Sequence, residues 1–165
     1  MNKQQFRQLI EAARNQASNP NDGEAVAREA TSLLASRSVE EIIAVEQVLW
    51  ELMVDSYTNP LWAAAYIANG GCSDDGFDYF RGWLIAQGRE VFERVVADPD
   101  ALAELPIVQA SAADGVDLEG EDMLGIAWNA HISATGDQLP TGPPTIRYRE
   151  LDPTWNHCLR HSVRP

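Results

Sequence analysis

Residues 60–95 read PLWAAAYIANGGCSDDGFDYFRGWLIAQGREVFERV, one continuous stretch in which helix starts and stops can be placed residue by residue. Pro60 suits a first helical turn, where a missing N–H goes unused, and the apolar run after it predicts a helix over Leu61 to Asn69. Gly70 and Gly71 can supply a left-handed C-terminal cap. Ser73 follows as an N-cap, with Asp74 and Asp75 where the positive end of a helix favours carboxylates. The next helix therefore begins at Asp74 and runs through Phe77, Phe80, Trp83 and Leu84 to about Gln87. Gly88 allows a bend, Glu90 to Val96 form a further short helix, and Asp98-Pro99 stops it.

The helical period extends towards the N-terminus. Phe6, Leu9, Ile10 and Ala13 mark one face of an amphipathic helix, and Asn19 to Gly23 form a turn cluster. Val26, Ala30, Leu33 and Leu34 resume the period to about Ser36. Ser38 stands three residues before Glu41, a capping-box spacing, ahead of the stripe Ile42, Val45, Leu49, Leu52 and Met53. Towards the C-terminus the signal weakens beyond Pro106. Met123 to Ile132 carries a helical stripe, while Pro140, Gly142, Pro143 and Pro144 call for irregular backbone. Strand-type alternation is confined to Thr145–Tyr148, and no fixed-period repeat occurs. The expected fold is all-α, a single-domain helical bundle spanning 1–165 with about six to seven helices. Residues 1–105 form its helical core, and 106–165 form a loop-rich, Pro/Gly-containing extension that packs on it.

Composition bounds the function. With 165 residues, 45% of them hydrophobic and five of them Trp, the chain can build a core without disulfides or a structural metal. No apolar run is long enough to cross a bilayer, and the opening MNKQQFRQ lacks a signal peptide's apolar stretch, so a cytoplasmic location is expected. Cys72 and Cys158 lie far apart outside any CxxC pattern and read as two separate thiols. The net charge of −13 repels phosphate backbones and anionic lipid, which argues against nucleic-acid and membrane partners. Asp98 to Asp122 holds eight acids and no Lys or Arg, whereas the tail from Arg147 carries four arginines against two acids.

Asp74 and Asp78 lie four apart and Arg81 follows Asp78 by three, so the three project from one side of a helix. Such carboxylates can hold a cation or share a proton, and the arginine can clamp a ligand carboxylate or phosphate. Equally, Asp74 and Asp75 can be first-turn residues, with Asp78 and Arg81 paired to each other or to a neighbouring helix. Trp62, Tyr66, Tyr79 and Trp83 can line an aromatic pocket between two helices or simply pack the core, with Asp78 as an acceptor for their polar atoms.

Other chemistries lack their motifs. Asp74, Asp75, Gly76 and Asp78 miss the alternating ligand spacing of a calcium loop. Asp75 and Asp78 as a hydrolase pair would need a cleft, which spacing alone does not supply. His157 and His161 can share a helix face if Asp152-Pro153-Thr154 starts a helix, but they have no third ligand, and no metal or cofactor is assigned. Neither Cys72 nor Ser73 sits in a nucleophile elbow. Asn69-Gly70-Gly71 could present N–H groups to an anion, in competition with Asp74 and Asp75.

The string YIANGGCSDDGFDYFRGWLIAQGREVFE, with the FxxLIExA-like opening Phe6 to Ala13, closely resembles the bacterial domain-of-unknown-function family numbered 4240. The resemblance covers roughly Asn2 to Leu102 and implies no activity, cofactor or catalytic residue. From the residues, the leading expectation is a non-catalytic interaction or regulatory module whose acidic surface binds a basic protein, such as a nuclease toxin to be neutralised. The alternative is a small-molecule enzyme or ligand-binding protein with a pocket at residues 62–83, formed by Trp62, Tyr66, Asp74, Asp75, Asp78 and Arg81.

Overall fold

The computed structural model describes residues 1–140, 148, 150 and 151. The all-α expectation holds, and no strand occurs among the described residues. In chain order the helices are α1 (Lys3–Gln16), α2 (Gly23–Ala35), α3 (Val39–Asp55), α4 (Asn59–Ala68), α5 (Asp74–Ala86) and α6 (Arg89–Ala97), then a 3₁₀ segment (Pro99–Glu104), α7 (Pro106–Asp114), α8 (Glu121–Leu124) and α9 (Ile126–Thr135). Among the described residues there are thus more helices than the six or seven read from periodicity, and the surplus lies from Pro99 onward. Gly142 to Arg147, Asp152-Pro153-Thr154, His157, Cys158 and His161 lie outside the described residues.

Ser38 accepts from the Glu41 N–H and Ser73 accepts from the Gly76 N–H at the caps the sequence places, and Asn2 with Gln5 closes a further, reciprocal capping box on α1. Gly70 takes φ +65 just beyond the end of α4, the left-handed turn expected there. Pro106 starts a helix rather than stopping one: it occupies the first turn of α7, where proline's fixed φ is pre-organised. Gly125 divides the predicted 123–132 stripe, ending α8 and capping the start of α9.

α2 packs against α1, α5, α8 and α9, and α3 packs against α1, α5 and α9. α5 sits at the centre, touching α2, α3, α4, α6 and α8. Every residue from Phe80 to Gly88 is buried, so the second half of α5 has no solvent face. Its far end is fastened by α1. Arg14 Nη1 donates to the Ala86 carbonyl at 2.7 Å and to the Pro20 carbonyl at 2.8 Å, and Glu11 Oε1 accepts the Arg89 N–H at 3.1 Å. The guanidinium thus takes up a carbonyl that the end of α5 leaves without a helical partner.

All-round burial demands a close neighbour, and that neighbour is backbone. Gly120 N–H donates to the Tyr79 carbonyl at 3.0 Å, laying the start of α8 directly on α5. A Cβ on Gly82 would stand 2.3 Å from the Gly120 carbonyl oxygen, and one on Gly120 would stand 2.6 Å from the Trp83 nitrogen. Space, not torsion, requires both glycines. We expect Gly82→Ala to destabilise the fold by about 2–4 kcal/mol through overpacking, whereas Gly23→Ala, whose new Cβ would meet its nearest neighbour at 3.5 Å, changes stability by less than about 1 kcal/mol. Urea unfolding of the two variants beside the parent checks this.

Candidate functional site

Arg81 is the centre of the segment singled out in the sequence, and its side chain has no exposed surface. Asp78, one turn back on α5, accepts from Nη2, and the Met53 carbonyl in the last turn of α3 accepts from Nη1. The Phe77 carbonyl accepts from Nε at 3.3 Å, so each guanidinium nitrogen is engaged. The flat faces meet aromatic rings, with Phe77, Tyr57 and Tyr148 centred 4.6, 4.9 and 5.6 Å from the guanidinium carbon. Both ways of pairing weighed from the sequence are therefore realised together: Arg81 pairs with Asp78 on its own helix and crosses to a second one.

The other predicted residues divide into two groups. Trp62, on α4, stacks on Phe77 at 4.8 Å and 12°, and its indole N–H donates to the Cys72 carbonyl at 3.2 Å. This joins Trp62 to the same packed layer as Arg81. Tyr66 is half-buried one turn further along α4. Asp74 and Asp75 stay exposed in the first turn of α5, away from the guanidinium pairing, and the Asp78 side chain is 38% exposed. The expected Asp74, Asp78, Arg81 stripe thus splits into an outward acid and a largely inward pair.

What spacing alone could not reveal is a second acidic segment brought to Asp74 and Asp75. The Asn69 side chain clips the connection before α8: its Oδ1 accepts the Leu118 N–H at 3.0 Å and its Nδ2 donates to the Leu118 carbonyl at 3.4 Å. Asp117, Glu119 and Glu121 are held there, exposed, beside the start of α5. Their proximity registers on two neighbours. The Cys72 thiol is pushed up from 9.0 to about 11, first by burial and then by the charges of Glu119, Asp117 and Asp74, against the opposing pull of Arg81. The Tyr79 phenol is pushed up as well, first by the charge of Glu121 and then by partial burial, Asp75 and Glu119.

Among the described residues no group of three or more His, Cys, Asp or Glu is placed to hold a metal ion, and no buried side-chain nitrogen or oxygen lacks a hydrogen-bond partner. No helix among them is long and apolar enough to cross a membrane. Cys72 is a free thiol.

A family described as Protein of unknown function (DUF4240) matches residues 1–132. The chain belongs to this family. The DUF4240 span reaches further than the Asn2–Leu102 signature, taking in α7, α8 and most of α9, so the connection that covers α5 is part of the family's domain. No curated protein and no solved structure matches the chain.

Two outcomes follow from this geometry. Arg81→Ala is expected to lower stability by about 3–5 kcal/mol in urea unfolding at neutral pH, because it empties the space of a fully buried side chain and takes a donor from the Met53 and Phe77 carbonyls. Asp78→Asn is expected to lose less, about 1–2 kcal/mol, since asparagine keeps an acceptor and the site is partly open to water. For the thiol, in a Cys158→Ser background, iodoacetamide modification of Cys72 should still be accelerating above pH 9, and Asp117→Asn with Glu119→Gln should speed it at pH 8.5. A rate that levels off near pH 9 would contradict the placement of those carboxylates.

Proposed function

We propose that this DUF4240 domain is a non-catalytic interaction module of the cytoplasm that presents an acidic face to a basic protein. The observation that carries the reading is the convergence of Asp74 and Asp75 with Asp117, Glu119 and Glu121, two segments that the Asn69 clip brings side by side. Arg81, the cation nearest in sequence to Asp74 and Asp75, is turned inward and bonded through each nitrogen, which leaves the face strongly negative. A concentrated field of one sign accelerates encounter with an oppositely charged surface and rejects anionic competitors such as nucleic acid. The alternative, a ligand site on Trp62, Tyr66, Asp74, Asp75, Asp78 and Arg81, would require the guanidinium to exchange its carbonyl and carboxylate partners for a ligand.

Calorimetric titration with a lysine- and arginine-rich peptide tests the face. Neutralising Asp74, Asp75, Asp117, Glu119 and Glu121 to their amides should weaken binding by about tenfold or more. Converting Glu29, Glu40, Glu41, Glu46 and Glu90 to Gln removes the same charge elsewhere and should change affinity by less than about twofold. Equal losses in both variants would mean that net charge alone attracts the peptide, and the assigned face would be abandoned.

A further inference from the structure

A groove of about 470 Å³ lies between α4, the 3₁₀ segment and α7, apart from the Arg81 layer. Ala64, Ile67 and Ala68 form its α4 wall, and Leu102, Val108 and Ala112 face them. Leu102 and Val108 are 4% and 8% exposed and make a floor, while Ile67 stands at the lip with 78% of its surface in water. Isolated exposed aliphatics are ordinary, but an exposed isoleucine on the rim of an apolar trough leaves surface that a partner can bury.

We infer that this groove receives the apolar stripe of a basic amphipathic helix. The walls are helices whose backbone groups are already paired internally, so they offer no edge for strand addition. The alanines leave a trough into which side chains spaced i, i+3, i+4 and i+7 can interdigitate. The surroundings select the charge of the occupant. Asp100 is the ionisable group among the lining residues, and the 3₁₀ segment and α7 belong to the Asp98–Asp122 stretch that contains no Lys or Arg. Arg94, the neighbouring cation on α6, is engaged with Glu104 at 3.6 Å and with the Ala101 carbonyl at 3.3 Å. On the α4 side Ala68 is followed by Asn69, the residue that holds Leu118 among the acids of the negative face. Groove and face are thus linked along the chain through Ala68-Asn69, and a helix with an apolar ridge and cationic flanks suits both. A second copy of this chain would set Asp100 and its acidic surroundings against their own kind at −13 apiece, which like-charge repulsion opposes.

The inference deepens the acidic-face reading and rests on it for the partner's charge. The probe is a synthetic leucine–lysine peptide with leucines at i, i+3, i+4 and i+7, beside a scrambled isomer and an oligolysine of equal charge. The patterned peptide should bind at least about tenfold tighter than its isomer, and Ile67→Ser and Ala112→Trp should each weaken it about tenfold while leaving oligolysine binding unchanged. Ile67 is largely solvent-exposed, so its substitution leaves the fold intact, and circular dichroism checks both variants. Equal affinity for the isomer, or no effect of either groove substitution, overturns the groove; oligolysine binding that still depends on Asp74, Asp75, Asp117, Glu119 and Glu121 would then leave the acidic face standing. Loss through the groove variants with no loss through the face variant would keep the groove and remove the face. Concentration-dependent dimers in sedimentation velocity, dissolved by Ile67→Ser, would make the occupant a second copy and overturn the inference.

Discussion

A guanidinium does not give up its proton in a protein, so burying Arg81 completely obliges its surroundings to supply acceptors on the edge and rings on the faces. Those acceptors come from α5 itself and from the last turn of α3, and the rings come from Phe77, Tyr57 and Tyr148. Trp62 then stacks on Phe77 and ties α4 to the same layer. One side chain thereby sets how three helices meet. Arg14 repeats the device at the opposite end of α5, where a cation meets the negative end of a helix and a carbonyl with no partner within it. Trp62, Phe77 and Asp78 of the signature segment all belong to the surroundings of this charge.

The elements were legible wherever chemistry is local. Ser73, Pro60 and Gly70 announce their turns because a cap, a missing donor and a left-handed torsion are properties of one residue and its neighbours. The buried faces of α1 to α3 follow the apolar stripe because those helices keep a solvent side. Beyond Pro106 that contrast fades: α7 is alanine-rich and buries only Val108 and Ser111, and α8 is four residues long. The Asp78–Arg81 pair was legible as one of two readings, since spacing fixes a shared face but not what lies opposite. The Met53 carbonyl, the Asn69–Leu118 clip and the Gly82–Gly120 contact join residues 28, 49 and 38 apart, and no local pattern marks such partners.

Division of labour among the acids follows from the same geometry. Asp78 is committed to a buried charge, whereas Asp74 and Asp75 one turn earlier stay in water. Asp78 is therefore tied to the interior through Arg81, and Asp74 and Asp75 remain surface charges, although all three sit within five residues. Where the fold has claimed the cation for its interior, the exterior keeps the negative charge that cation would have offset.

The contact between Gly82 and Gly120 also sets an order on events during synthesis. α5 is finished well before the backbone that closes over it, because Gly120 follows Gly82 by 38 residues. At roughly 5–20 residues per second, a nascent chain carries α5 without its cover for about 2–8 s. Phe80, Trp83 and Leu84 have no solvent-compatible side to turn outward in that interval. A chain that stops before Gly120 would thus leave the Gly82–Trp83 side of α5 without the backbone that closes over it in the finished domain.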